Sequence, residues 1–207
     1  MVTYNMRLVM AIFPKLCDTF STWSLGPAKE KVNISVIIHN ASQCGHSPLR
    51  QSHGKKTPAL KRVQKEIICL IKEPPEGMHI NQETLQEQDM STLVVEMAGP
   101  KGTLYEGENF QLEFKFNSKY PFDSPQVVFV GNAIPIHPHI YSNGHICLSI
   151  LTDDWSPAMS IRSVCLSVMS VLASASEKKP PPDDLDYVRK CSRNPKETLW
   201  LYHDDNV

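Results

Sequence analysis

The segment Phe110-Gln111-Leu112-Glu113-Phe114-Lys115-Phe116 alternates apolar and polar residues without a break. A period of two places one set of side chains on a buried face and the other in water, so this stretch reads as a half-buried strand. Shorter runs of the same kind flank it: Met78-His79-Ile80 and Leu93-Val94-Val95-Glu96-Met97 before it, Gln126-Val127-Val128-Phe129-Val130 after it. Turn formers link the earlier runs, at Gly99-Pro100-Lys101-Gly102 and Tyr105-Glu106-Gly107-Glu108. Strands joined by such short links pair antiparallel, because a parallel pair needs a crossover of about a dozen residues or more.

Helical patterns bracket these strands. Thr57 suits an N-cap and Pro58 the first helical position. Leu60, Val63, Ile67 and Ile71 then recur at helical spacing until Glu73-Pro74-Pro75 stops them. Lys61, Arg62 and Lys65 fall on the solvent side. Later, Ile161, Val164, Cys165, Val168, Met169 and Leu172 repeat at three and four, and Lys178 to Pro182 breaks the pattern. The predicted class is therefore α+β: an N-terminal helix, a four-stranded antiparallel sheet, a loop, and a central helix covering the sheet.

This core occupies residues 57–182 of the 207 in the chain. Residues 1–56 have no sustained period, and Gln43 to Thr57 is polar and basic, so the expectation there is a poorly ordered extension. The run Leu8 to Phe13 is shorter than the ~7–15 apolar residues of a signal peptide. No stretch approaches the ~20 apolar residues of a membrane span. Residues 183–207 form a short polar tail with aromatic spots at Tyr187, Trp200 and Tyr202, in which Leu185 to Arg193 can form one helix. With 21 basic against 22 acidic residues, no net field draws the chain to nucleic acid or to membranes. Its six cysteines are scattered without a CxxC pair, which signals neither a zinc finger nor a disulfide framework and suits a reducing compartment. Cys69 and Cys165 lie in the helical patterns and are expected to be small buried hydrophobes.

The chemistry concentrates in Ile136-His137-Pro138-His139-Ile140-Tyr141-Ser142-Asn143-Gly144-His145-Ile146-Cys147-Leu148. One cysteine follows a glycine turn, with hydrogen-bonding side chains upstream. A cysteine held by a loop on a rigid scaffold is a candidate nucleophile.

This segment resembles the active-site loop of the ubiquitin-conjugating enzymes, in which a His-Pro-Asn triplet precedes the catalytic cysteine in a Gly-x-Ile-Cys-Leu setting. Tyr120-Pro121-Phe122, Ser124-Pro125-Gln126-Val127 and Trp155-Ser156-Pro157-Ala158 agree in order and spacing, from about Pro58 to about Pro182. The resemblance implies that Cys147 carries ubiquitin as a thioester and passes it, with a ligase, to amines. His137 is implied to be a loop-structuring residue. His139 stands where the family has asparagine, which is credited with oxyanion support or with shaping the loop. The basic helix face of Lys61, Arg62 and Lys65, with Phe122 and with Ser156, Pro157 and Ala158, matches the surface that meets the activating enzyme and ligases of the RING or U-box type. No cofactor is implied, since the upstream activating enzyme uses the ATP. Nucleus and cytoplasm are the expected locations. The His-Pro-His variant and the tail Trp200-Leu201-Tyr202-His203-Asp204-Asp205 are similar to the N-terminus-directed branch of the family, whose substrates are proteins with accessible N-termini and whose product is a monoubiquitinated protein.

The residues give this preference a physical reason. Many members carry an acid shortly after the cysteine, but here the chain reads Leu148-Ser149-Ile150, and Asp153 and Asp154 come later. With reference pKa values of ~7.7–8.0 for an α-amine and ~10.4 for lysine, the neutral fraction at pH 7 differs by roughly a few hundred-fold. A site without helpers for lysine deprotonation can still use an α-amine. For His139, three roles remain open: hydrogen-bond donor to the oxyanion, loop orientation, and proton acceptor near pH ~6.5. Two other readings of the chain compete. One is a catalytically inactive binding module on the same fold, against which the presence of Cys147 counts. The other is a metal clamp of His137, His139, His145 and Cys147, whose spacing is not a standard zinc pattern.

Overall fold

The computed structural model describes residues 57–80 and 90–198. The expectations for residues 1–56 and for Trp200 to Asp205 lie outside them. Helix α1 spans Pro58–Lys72. The Thr57 hydroxyl accepts the Leu60 amide at 3.4 Å, and Pro58 opens the first turn, where its missing N–H costs nothing. The buried stripe is Ala59, Val63, Ile67 and Leu70. Leu60 and Ile71, expected in the core, are only half-buried, because the helix is rotated so that its buried stripe runs through Ala59, Val63, Ile67 and Leu70. The same rotation leaves Cys69 exposed, against the expectation of a buried thiol.

Strands β1 (Met78–His79), β2 (Thr92–Ala98), β3 (Asn109–Lys115) and β4 (Gln126–Val130) form one antiparallel meander in sequence order. In β2 and β3 every second residue is buried: Leu93, Val95 and Met97, then Phe110, Leu112 and Phe114. Helix α2 (Ile161–Ser174) closes this face with Ile161, Val164, Cys165, Val168, Val171 and Leu172. Each such aliphatic side chain taken from water contributes about 1.5–3 kcal/mol. Burial pushes the Cys165 thiol up to about 12, so it packs as an apolar group. Helix α2 starts at a reciprocal cap, in which Ser160 and Ser163 satisfy each other's backbone amides. It ends at Ser174, ahead of the Lys178–Pro182 run that was expected to stop it.

Tyr105 was expected in a turn, and it is, but its side chain is fully buried and its hydroxyl donates to the Ile136 carbonyl at 2.7 Å. The turn between β2 and β3 thereby anchors the start of the cysteine loop. A third helix, α3 (Asp184–Lys190), follows α2, and a 3₁₀ turn covers Pro195–Glu197. The tail from 183 to 198 is thus structured and packs onto the core. Lys196 bonds Asp123 at 2.6 Å and the Ser124 carbonyl at 2.8 Å, and the bond to Lys196 holds the Asp123 carboxyl below its ordinary pKa.

Candidate active site

The loop between β4 and the cysteine is built on backbone hydrogen bonds that use its two unusual residues. Gly144 has φ +87°, a conformation that side-chain-bearing residues rarely adopt. A Cβ there would lie 2.0 Å from the Phe129 carbonyl oxygen. The glycine lets the loop lie against β4, where the Phe129 amide donates to the Gly144 carbonyl at 2.9 Å. The amides of Tyr141 and Gly144 bond the carbonyls of His145 and Tyr141 at 2.9 and 2.8 Å, closing a tight turn over 141–145.

His137 holds the other end. It is 1% exposed. Its Nδ1 accepts the His139 amide at 2.9 Å and its Nε2 lies 3.0 Å from the Val171 carbonyl. Only a neutral ring protonated on Nε2 satisfies both partners. Burial, helped by the neighbouring His139, pushes its pKa down to about 4 and keeps it in that form. His139 is also buried, its ring 5.5 Å from that of His137. Its carbonyl accepts the Cys147 amide at 2.8 Å. Cys147, His139 and His137 therefore form one bonded unit. The Cys147 side chain is half-exposed. A thiol in such a place can meet an incoming carboxyl derivative, attack it, and hold the acyl group where a second nucleophile can reach it.

The residues after the cysteine run Leu148, then a 3₁₀ turn at Ser149–Leu151. Asp153 and Asp154 are exposed on the following turn, where the Asp154 amide bonds the Ser149 carbonyl at 3.0 Å. Of the metal-clamp residues, His137 has both ring nitrogens engaged by the protein's own backbone. Among the described residues no group of three or more His, Cys, Asp or Glu side chains is placed to hold a metal ion.

A second cluster joins α1 to the two proline loops. Phe122 is 82% exposed, and Pro157 and Ala158 are exposed, with Ser156 half-buried. Lys61 and Lys65 stand in solvent. Arg62, expected on the solvent side with Lys61 and Lys65, is tied down: it pairs with Glu66 and donates to the Met159 carbonyl at 3.2 Å. The pairing with Glu66 raises its pKa further. Glu66 is the hub, since its Oε2 also accepts the Tyr120 hydroxyl and the Ile161 amide, both at 2.8 Å. The Trp155 indole donates to the Pro121 carbonyl at 2.8 Å. Helix α1, the Tyr-Pro-Phe loop and the Ser-Pro-Ala loop thus share one bonded framework, and the buried Ser124 hydroxyl links it to the 3₁₀ turn after Cys147 by a 2.6 Å bond to the Leu151 carbonyl.

Sequence reasoning missed the tail's part in the site. Tyr187 on α3 stacks on Tyr141, with ring centroids 3.7 Å apart, and its hydroxyl lies 2.9 Å from Nδ1 of His145. Tyr141 donates to the Asp183 carboxylate at 3.2 Å, the Ser142 amide to Asp184 at 2.8 Å, and the Asn143 side chain to the Cys191 sulfur at 3.2 Å. Burial pushes Tyr187 up to about 12, raises Tyr141 and lowers His145. The single signal in the sequence was an aromatic residue in a polar tail, which gives no hint of a contact more than forty positions away.

Comparison with known proteins agrees with this geometry. Residues 62–201 match the family described as ubiquitin-conjugating enzyme. The chain is 58% identical over 145 residues to a protein from Danio rerio named probable ubiquitin-conjugating enzyme E2 W-A, covering 70% of this chain and 95% of that one. It is 54% identical to ubiquitin-conjugating enzyme E2 W of Caenorhabditis elegans, covering 72% and 97%. The crystal structure of a ubiquitin-conjugating enzyme E2 from Agrocybe aegerita superposes with a TM-score of 0.63 at 38% identity, covering 68% of this chain and 99% of that one.

Proposed function

The chain belongs to the ubiquitin-conjugating enzymes, and from that premise we propose that Cys147 accepts the ubiquitin C-terminus as a thioester and delivers it, with a RING or U-box ligase, chiefly to α-amino groups of substrate N-termini. The observation that supports this most is the half-exposed Cys147 bonded through its amide to His139, on a loop whose other anchor is the buried, neutral His137. The cysteine thiolate attacks the activating enzyme's thioester carbonyl, and the activating enzyme's thiolate leaves. A neutral amine then attacks the new carbonyl, an oxyanion forms and collapses, and the Cys147 thiolate departs as the amide forms and the amine loses a proton.

Family membership brings ubiquitin, its activating enzyme and ligases as partners. The exposed Phe122, Pro157, Ala158, Lys61 and Lys65 supply a surface for transient docking. The preference for α-amines rests on the residues after the cysteine: Leu148-Ser149-Ile150 offers no carboxylate to deprotonate lysine, whereas an α-amine is already ~10–17% neutral at pH 7. The enzyme itself needs no cofactor, ATP being consumed by the activating enzyme, and it works in nucleus and cytoplasm, where free thiols persist.

Incubation with activating enzyme, ATP and ubiquitin, followed by non-reducing electrophoresis, tests the carrier step. A reductant-labile adduct that is lost in Cys147→Ser is expected; no adduct on the wild-type chain overturns the reading. Discharge of the charged enzyme onto a lysine-free peptide with a free N-terminus, against one with a blocked N-terminus and a free lysine, tests the preference. Faster transfer to lysine refutes it and leaves the carrier step intact.

A further inference from the structure

The turn 141–145, which leads into Cys147, is held from outside by the tail, and one side chain, Tyr187, contacts it at both ends. The Tyr187 ring lies flat on Tyr141 at 3.7 Å, tilted by 25°. Its hydroxyl meets His145 Nδ1 at 2.9 Å. His145 is buried, and burial lowers its pKa. Its hydrogen bond to the Arg193 backbone opposes that shift, as donation to a carbonyl does. The same Tyr187 hydroxyl lies 3.4 Å from the Thr198 hydroxyl, so it bridges His145 and Thr198. The His145 amide in turn is fixed by the Asn143 side chain at 3.1 Å, and its carbonyl by the Tyr141 amide at 2.9 Å.

We propose that Tyr187 is a positioning residue for acyl transfer: by stacking on Tyr141 and hydrogen-bonding His145, it fixes the turn from which Cys147 presents the thioester to the incoming amine. The inference rests on the carrier role of Cys147 given above. Tyr187 does not touch the reacting atoms. It acts through His145, two residues before Cys147, beside the bonds that Asp183, Asp184 and Cys191 make to the same turn. Positioning matters in the second half-reaction, because the carbonyl must meet the amine and its oxyanion donors in one geometry, and small misplacements slow such steps many-fold. A phenylalanine keeps the stack and the packing and removes only the hydroxyl, with its bonds to His145 and Thr198.

The test is a cycle of full-length chains carrying Tyr187→Phe, His145→Ala, or both, each charged first and then chased with increasing peptide bearing a free N-terminus. Thermal melts accompany each variant, and His145→Asn replaces His145→Ala if that chain melts below the assay temperature. Tyr187→Phe is expected to lower the maximal single-turnover discharge rate about 5- to 10-fold, leaving the half-saturating peptide concentration unchanged, and the double variant to be no slower than His145→Ala alone. A wild-type discharge rate in Tyr187→Phe overturns the proposal. So does a change confined to the half-saturating concentration, or a double variant slowed by the product of the two single effects. Failure of the wild-type chain to charge would instead sink the carrier reading.

Discussion

The Cys147 amide donates to the His139 carbonyl at 2.8 Å, so the loop cysteine and His139 are joined backbone to backbone. Any residue at 139 can supply that carbonyl. What the imidazole adds is therefore separable from what the loop's backbone supplies, and replacing the side chain isolates it.

His139→Ala is expected to charge with ubiquitin and to slow the aminolysis step. Loss of an oxyanion donor costs about 2.7–4 kcal/mol, or roughly a hundred- to a thousandfold in rate. The backbone frame and the neighbouring His137 ring point to loop orientation as the main role, so a loss of about tenfold is expected, with His139→Asn recovering most of it. Single-turnover discharge rates decide between the two.

Gly144→Ala strains the turn twice. The residue must hold φ +87°, and its new Cβ would sit 2.0 Å from a carbonyl of β4. The backbone conformation alone costs on the order of 1–3 kcal/mol. Urea denaturation is expected to show at least that loss, and charging of Cys147 to fall with it. An unchanged midpoint would mean that the loop does not press on β4 as described.

His137 makes stability depend on pH. Its folded pKa, about 4, lies below the ordinary ~6.5 of a free histidine. The unfolded chain therefore binds the extra proton first. The contribution is fully present above pH ~6.5, falls as pH drops toward about 4, and levels off below that. It amounts to on the order of 3 kcal/mol across that window. His145, lowered by burial as well, has the same sign. His137→Asn should be less stable at pH 7 and should show a flatter loss of stability between pH 7 and 4 in denaturation series. A slope equal to that of the wild type would contradict the assignment.

Phe122→Ala removes a side chain that is 82% exposed. Stability should change by no more than about 0.5 kcal/mol. Discharge without a ligase should be unaffected, while the acceleration given by a ligase should fall several-fold. Titrating a ligase domain against the charged enzyme reads both. Equal stimulation of the two chains would remove Phe122 from the docking surface.

The strands and the two long helices were legible because their cause is local. Alternation at 110–116 follows from the pleat, and the repeat from Ile161 to Leu172 follows from the helical period. The loop was legible for another reason: its motif puts His137, Gly144 and Cys147 within twelve residues, so spacing alone brings them near one another. Which side of α1 faces inward was less so. Ala59 and Leu70 compete with Leu60 and Ile71 for the core, and only tertiary packing decides, leaving Cys69 in solvent.

By itself, the sequence determined the order of elements, the turn glycine and the place of Cys147 on the loop, since propensity and motif spacing act over a few residues. Tertiary structure decided what long-range contact decides. It turned Arg62 from a surface cation into a tie between α1 and the Met159 carbonyl. It made Glu66 the shared acceptor of Tyr120 and Ile161. It laid Tyr187 on Tyr141 and His145. Hydrogen bonds and ring contacts depend on distances of a few ångströms between residues far apart along the chain, and no local period encodes those distances.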